Sequence, residues 1–216
     1  MKRTALLCAV ALVLFQAVLC AAARADDEKY SRGYMSQGKL QHALQSAIPE
    51  DNSVAEGYIT GVIDVHNKIM LDVPQEAKTQ QLVDIVRNCI DPHPEDAHYM
   101  AYQTIVLCII EKFPLKEKSS KQHSAIINGD KLYNLLDSYA ISQQLFGLGY
   151  IIGVVDSYNE KVFKTPNHFL IKYVVDIVHD YLKIHPEKRQ EMAHRLVAAA
   201  LSEKYPLKNP DNRLLF

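Results

Sequence analysis

Apolar residues recur every three or four positions along most of the chain, which is the period of amphipathic helices. In the first half this pattern predicts helices over residues 39–48, 54–69, 79–90 and 94–113. Four further helices follow in the second half with the same spacing. The pattern therefore predicts an all-α protein with two sets of four helices.

The second set of helices repeats the first at a shift of 92 residues. Residues 38–116 align without a gap onto residues 130–208, with 26 identities in 79 pairs. The most similar phrase is Gly57-Tyr-Ile-Thr-Gly-Val-Ile-Asp64, which returns as Gly149-Tyr-Ile-Ile-Gly-Val-Val-Asp156. An ungapped repeat of this length indicates one folding unit used twice. Because a unit of about 80 residues is marginally stable alone, we expect two tandem four-helix modules packed as a pseudo-twofold pair.

The repeat divides the chain into six predicted parts. These are a signal peptide (1–25), a flexible lead-in (26–37), the first module (38–116), a linker (117–129), the second module (130–208) and a tail (209–216). The first part starts with Lys2 and Arg3, continues with an apolar run, and ends in Ala23-Arg24-Ala25, the small-x-small pattern of a cleavage site. The run is shorter than the about 20 apolar residues that a membrane-spanning helix needs. We therefore predict export with cleavage near Ala25, which fits a bacterial periplasm or a eukaryotic secretory route.

Cleavage changes the charge of the chain. Lys2, Arg3 and Arg24 are removed, so 21 of the 24 basic residues remain against 25 acidic ones, a net charge of −4. Nucleic-acid binding requires a clustered positive face. We therefore predict no nucleic-acid partner, and no membrane association after cleavage.

Two cysteines remain in the cleaved chain, Cys89 and Cys108. If their helices meet at a turn near Pro92, Cys108 lies more than ten residues beyond that turn, roughly 18 Å from Cys89. A disulfide needs Cα atoms within about 7 Å. We therefore predict that both cysteines pack in the core as thiols.

Glycines recur on one face of the second predicted helix in each module. Gly57 and Gly61 are four residues apart, and Gly149 and Gly153 repeat the spacing. A face without side chains lets another backbone approach closely. We interpret these glycines as a packing device rather than a ligand site.

Asp64 and Asp156 follow the glycines and lie beside the apolar stripe. Each carboxylate is either catalytic or an acceptor for backbone donors at a neighbouring helix start or turn. No second acid or histidine repeats at catalytic spacing, which favours the structural role. His66 is replaced by Tyr158, which argues against a repeated metal site. We predict no catalytic, metal-binding or cofactor-binding residues and no cofactor.

The phrase His93-Pro94-Glu95 returns as His185-Pro186-Glu187. Proline suits the first position of a helix, and a glutamate in the first turn opposes the helix dipole. We interpret Pro94, Glu95, Pro186 and Glu187 as the start of the fourth helix in each module.

The two modules differ most in the connection after the second helix, and their fourth helices differ in tyrosine content. Loops on a shared scaffold are where binding differences collect, and interfaces are enriched in tyrosine. The side chains that we predict to bind a partner are Met70, Leu71, Tyr99, Tyr102, Phe163 and Phe169.

The ordered set of phrases resembles the Rap/Tai periplasmic immunity proteins of type VI secretion. Its parts are Gly-Tyr-Ile-x-Gly-Val-x-Asp, a middle proline, Val-x-Asp-Ile-Val, His-Pro-Glu and a closing Phe-Pro or Tyr-Pro. The resemblance implies a small helical, non-enzymatic protein of the periplasm. It also implies that the partner is a secreted peptidoglycan amidase effector, which the protein binds and blocks. Members are often dimeric, so the tandem chain is expected to be a monomeric pseudo-dimer or a homodimer.

The chain departs from this family in its cysteines. Where the family often has cysteine before the middle proline, this chain has Val73 and Thr165. Where the family often has cysteine after the closing proline, it has Leu115 and Leu207. The disulfide that the resemblance implies therefore cannot form at these positions.

Two alternative functions remain at this stage. One is a periplasmic helical binding or acid-responsive chaperone-like protein without a toxin partner, since the nine histidines titrate near neutral pH. The other is a hydrolase that uses Asp64 or Asp156 with His93 or His185. The missing nucleophile–base spacing and metal signature argue against the hydrolase.

Overall fold

The computed structural model describes residues 34–90, 99–115, 125–166 and 170–207. These residues contain eight α-helices: α1 (Gln37–Gln45), α2 (Pro49–His66), α3 (Thr79–Ile90), α4 (Ala101–Lys112), α5 (Gly129–Leu136), α6 (Ile141–Tyr158), α7 (Ile171–Ile184) and α8 (Ala193–Lys204). Within the described residues the extended segments pair with one another through isolated β-bridges. The predicted all-α fold is confirmed. The predicted signal peptide and tail, and Pro94, Glu95 and Phe169, lie outside the described residues.

The two longest helices, α2 and α6, pack against each other at the centre of the molecule. The backbone of Gly57 meets that of Phe146 and Tyr150, and Gly61, one turn later, meets Tyr150. The contacts advance in the same direction along both helices, so α2 and α6 run parallel. Gly149 and Gly153 make the same contacts with Val54 and Tyr58. These pairs repeat at the shift of 92, which confirms the pseudo-twofold arrangement.

The other three helices of each module bury their apolar faces against α2 or α6. In the first module the fully buried side chains include Ile63, Val86 and Ile105, one from each of α2, α3 and α4. The two cores are not separate, because Ile152 of α6 belongs to the first core and Val65 of α2 to the second. The modules therefore form one body.

The joint between the first two helices is the same in both modules. Pro49 is the first residue of α2, where its missing N–H is not needed. The predicted start at residue 54 was therefore too late. In both copies a serine hydroxyl accepts from the backbone N–H two residues on, Ser46 from Ile48 and Ser138 from Ala140. A serine turn, which is common to both modules, sets the joint.

The fourth helix of each module starts later than predicted. Helix α4 begins at Ala101, not at residue 94, and α8 begins at Ala193, not at Pro186. Pro186 and Glu187 instead start a short 3-10 helix, Pro186–Lys188. The cause is backbone pairing ahead of α8, where Gly129 N–H donates to the Glu191 carbonyl and Ala193 N–H to the Ile127 carbonyl. This pairing holds the preceding residue, Met192, extended.

The prediction that the two cysteines remain thiols is wrong. Cys89 and Cys108 form a disulfide with their Cα atoms 5.9 Å apart. Because α4 begins at Ala101, Cys108 lies only two turns into the helix instead of four. Cys89 lies at the end of α3, so the two residues meet. At the equivalent positions of the second module stand Tyr181 and Ala200, and the bond therefore belongs to the first module alone.

Candidate functional site

Each central aspartate binds the opposite module. Asp64 in α2 accepts hydrogen bonds from the backbone N–H groups of Ile126 (2.7 Å) and Ile127 (3.1 Å), just ahead of α5. The hydroxyl of Tyr150 in α6 donates to the same carboxylate at 2.9 Å. Tyr150 belongs to the second module, and Ile126 and Ile127 belong to the linker that leads into it. The carboxylate, which is 2% exposed, therefore joins α2 to the second module.

Asp156 in α6 makes the equivalent contacts in the other direction. It accepts from the N–H groups of Tyr34 (2.8 Å) and Met35 (3.1 Å) and from the hydroxyl of Tyr58 (3.0 Å). Both carboxyl groups are buried, and burial raises the pKa of Asp64 to about 7 and that of Asp156 to about 6. Their hydrogen bonds act against this rise, because they favour the charged form.

The glycines ahead of these aspartates leave no room for a side chain. A Cβ at Gly57 would overlap the Phe146 carbonyl oxygen and lie 2.9 Å from the Tyr150 nitrogen. A Cβ at Gly149 would overlap the Val54 carbonyl oxygen in the same way. These positions are filled by backbone of the facing helix. The conserved phrase of the repeat is thus interior, and a docking surface has to lie elsewhere.

The predicted partner-binding residues divide into exposed and buried side chains. Met70 is 44% exposed, Tyr99 is 58% exposed, and Tyr102 is half-buried. Leu71 and Phe163 are fully buried. Leu71 belongs to the first core and Phe163 to the second, so both side chains stabilise the interior.

Exposed apolar side chains lie on α4 and at both of its ends. They are Tyr99 before the helix, Leu107 within it (64% exposed) and Leu115 beyond it, and the exposed residues one turn from Leu107, Gln103 and Glu111, are polar. The turn that carries Ile69 and Met70 lies at the same end as Leu115, because Asp72 N–H donates to the Phe113 carbonyl. The α4 patch is defined as Ile69, Met70, Tyr99, Leu107 and Leu115.

The equivalent surface of the second module is mainly polar or small. In place of Ile69, Tyr99 and Leu107 it has Lys161, Glu191 and Ala199. Sequence reasoning missed Ile69, Leu107 and Leu115. The substitutions of Ile69 and Leu107 between the two copies were the available signal, whereas Leu115 is leucine in both.

Tyr102 lies at the edge of the α4 patch and contacts both modules. Its ring stacks with that of His66, with centroids 6.5 Å apart. The ammonium group of Lys161, from the second module, lies 5.2 Å from the centroid of the Tyr102 ring. Tyr102 is thus fixed between α2 and the turn after α6.

The second module has an apolar face of its own, on α7. The α7 patch is defined as Leu170, Tyr173 and Ile184, which are all exposed. The first module has Lys78, Gln81 and Pro92 at these positions. Phe169, a predicted partner-binding residue, precedes this patch but lies outside the described residues. The two modules therefore present different apolar surfaces.

Within the described residues no group of three or more His, Cys, Asp or Glu side chains is placed to bind a metal ion. No helix in these ranges is long and apolar enough to span a membrane.

Comparison with known proteins gives one match. The family model of Rap1a immunity proteins matches the chain twice, over residues 17–115 and over residues 128–207. The two matches fall on the two copies of the repeat. Neither a curated protein nor a solved structure matches the chain.

Proposed function

Because the chain belongs to the Rap1a immunity protein family, we propose that it binds and occludes a type VI secretion cell-wall amidase effector in the periplasm. The family implies immunity against a type VI effector, and therefore a protein partner. The amidase as target and the periplasm as compartment are the finer parts of the proposal. The predicted signal peptide supports the compartment, since a cell-wall enzyme acts outside the cytoplasm.

Occlusion requires a surface that binds tightly, and the α4 patch supports this role best. Tyrosine and methionine are enriched in protein interfaces, and tyrosine is among the residues that contribute most to binding energy. The disulfide between Cys89 and Cys108 ties α4 to α3, so the surface is held in place before the partner arrives. A preorganised surface loses less conformational entropy on binding. The single observation that carries this assignment is the exchange of Ile69, Tyr99 and Leu107 for Lys161, Glu191 and Ala199 between modules.

The function is tested by protection. The full chain, with its own signal, is co-expressed with periplasm-directed amidase effectors encoded beside it, and lysis of the host is followed. We expect rescue by stoichiometric amounts of the protein and a complex that survives gel filtration. Continued lysis with every such amidase would contradict the proposal.

The surface is tested with matched variants 92 positions apart. Leu107→Glu places a charge in the α4 patch, and Ala199→Glu places the same charge at the equivalent site of the second module. Leu107 is exposed, whereas Ala199 is partly buried against the second core, so the free energy of unfolding of both variants is measured before their affinities are compared. We expect Leu107→Glu to weaken the complex by about a hundredfold, or roughly 2.7 kcal/mol. Ala199→Glu is expected to change affinity less than about threefold, under 0.7 kcal/mol.

The α7 patch is the competing surface for the same partner. Tyr173→Glu and its counterpart Gln81→Glu form the second matched pair. If Tyr173→Glu abolishes protection while Leu107→Glu leaves it intact, docking belongs to α7 and the assignment to α4 is wrong. The immunity function itself would stand in that case.

A further inference from the structure

We propose that Asp156, a residue of the second module, positions the α4 patch of the first module for its partner. The inference rests on the proposed function, because the α4 patch is the surface assigned to the effector. Asp156 does not belong to that surface, since it is buried at the centre of the molecule. It acts through two chains of hydrogen bonds that both end at the start of α4.

The first chain runs through the segment ahead of α1. Asp156 accepts from the N–H groups of Tyr34 and Met35. The same segment pairs with the residues just before α4: Gln37 N–H donates to the Tyr99 carbonyl (2.8 Å) and Ala101 N–H to the Met35 carbonyl (3.2 Å). Asp156 thus fixes the segment against which Tyr99 is aligned.

The second chain runs through a buried tyrosine. The Tyr58 hydroxyl donates to Asp156 at 3.0 Å, and the backbone N–H of Tyr102 donates to that hydroxyl. Tyr58 is fully buried, so water does not replace either bond. Both chains therefore place the first turn of α4, with Tyr99 and Tyr102, relative to the second module.

The pseudo-twofold axis supplies a matched control. Asp64 accepts hydrogen bonds from the N–H groups of Ile126 and Ile127 and from the Tyr150 hydroxyl. That hydroxyl in turn accepts from the backbone N–H of His194. Asp64 therefore supports the start of α8. In place of Tyr99 and Leu107 the second module has Glu191, ahead of α8, and Ala199, within it.

The experiment compares Asp156→Asn with Asp64→Asn in the full chain. Asparagine keeps one acceptor oxygen, and its NH2 group faces donors that it cannot satisfy. Because the two sites are equivalent, we expect similar losses of global stability. Amide hydrogen exchange of the free protein is expected to quicken locally: at 34–37 and 99–102 in Asp156→Asn, and at 126–129 and 191–194 in Asp64→Asn.

Affinity for the effector then separates positioning from mere stability. Asp156→Asn is expected to weaken binding by about tenfold, equivalent to 1.4 kcal/mol, and Asp64→Asn by less than about twofold, 0.4 kcal/mol. Tyr58→Phe and Tyr150→Phe keep the ring volume and serve if an asparagine variant does not fold; the same contrast is expected. Equal affinity losses in the two variants, or unchanged exchange at residues 99–102 in Asp156→Asn, would overturn the inference.

Failure of the proposed function is recognised separately. Hydrogen exchange is measured without a partner and decides whether Asp156 fixes the start of α4. If no amidase binds the wild-type chain, the immunity assignment fails, whereas local exchange at residues 99–102 still supports or refutes the positioning.

Discussion

The two modules share their interior and differ on their surface. At the centre, Gly57 and Gly61 pack as Gly149 and Gly153 do, and each aspartate accepts three equivalent hydrogen bonds from the other module and the segment directly ahead of it. On the outside, the exposed Tyr99 and Leu107 are replaced by Glu191 and Ala199, and the exposed Leu170 and Tyr173 stand in place of Lys78 and Gln81. The glycines and aspartates that join the two modules are identical in both copies, whereas several solvent-facing positions differ.

One pair of side chains shows how divergence proceeds next to the interface. In the first module His66 of α2 stacks with Tyr102 of α4, and in the second Tyr158 of α6 contacts His194 of α8, with ring centroids 6.4 Å apart. The residue types are exchanged between the two helices. The contact between the helices is therefore kept while its polar groups have moved.

The largest expected effect concerns the shared interior. Gly149→Ala pushes a methyl group into the backbone of α2, so the central helices must separate along the contact. We expect a loss of more than about 3 kcal/mol in the free energy of unfolding, measured by denaturant titration. Gly57→Ala should cost a similar amount.

Gly147→Ala is the control for this prediction. Gly147 lies in the same helix, but a Cβ there would meet the side chain of Leu136 at 2.9 Å, and a side chain can move where a backbone cannot. Equal losses at Gly147 and Gly149 would contradict the backbone contact as the cause.

The next effect concerns a feature of one module only. Replacing Cys89 and Cys108 by alanine removes the disulfide and is expected to lower the free energy of unfolding by about 3 kcal/mol. Adding a reductant to the wild type should produce the same shift in denaturant midpoint. The reverse test is Tyr181→Cys with Ala200→Cys, which should form a second bond without change of fold. If that bond cannot form, α7 and α8 are not arranged as α3 and α4 are.

The central carboxylates predict a dependence on pH. Burial raises the pKa of Asp64 to about 7 and that of Asp156 to about 6, whereas in the unfolded chain both lie near 3.9. The folded protein therefore binds more protons between pH about 4 and 7, and the stability from these groups is greatest below pH about 4 and falls as pH rises to about 7. Each pKa unit corresponds to about 1.4 kcal/mol.

The asparagine variants isolate this contribution. His66, whose pKa burial lowers, acts in the opposite direction at acidic pH. The stability difference between the wild type and Asp64→Asn, measured by denaturation at several pH values, is expected to shrink as pH rises from about 4 to 7. A difference that grows over this range would mean that the folded carboxylate has a lowered pKa.

The smallest expected effect concerns a contact between unlike residues. Lys161→Met keeps the length of the side chain and removes its charge from the Tyr102 ring. We expect a loss of about 0.5–1 kcal/mol in unfolding free energy. Unchanged stability would show that burial of the lysine, which lowers its pKa, offsets the attraction to the ring.

Much of the fold could be predicted from the repeat alone. The bounds of α3 were predicted as they are observed, because an amphipathic helix shows its period directly in the sequence. The start of α4 was not, because backbone pairing of Tyr99 and Ala101 with residues 35–37 holds Met100 extended. That pairing joins residues more than 60 positions apart and leaves no local signal. The mistaken start also led to the wrong prediction for Cys89 and Cys108.

The candidate site was predicted only in part. Met70 and Tyr99 are exposed, whereas Leu71 and Phe163 are core residues. A residue difference between the copies does not tell an exposed side chain from a buried one, because core positions and surface positions both differ between the two modules. Packing within the two cores decides whether such a side chain is buried, and this packing is a tertiary contact.

The covalent joining of the halves has an evolutionary consequence. In a homodimer every substitution appears twice, at both symmetry-related sites, and a residue near the axis has to tolerate its own copy. Here a single codon change alters one side only, so complementary pairs such as Lys161 with Tyr102 become accessible. Substitutions in one half can then change a surface that binds a partner, while the other half keeps the contacts that stabilise the fold.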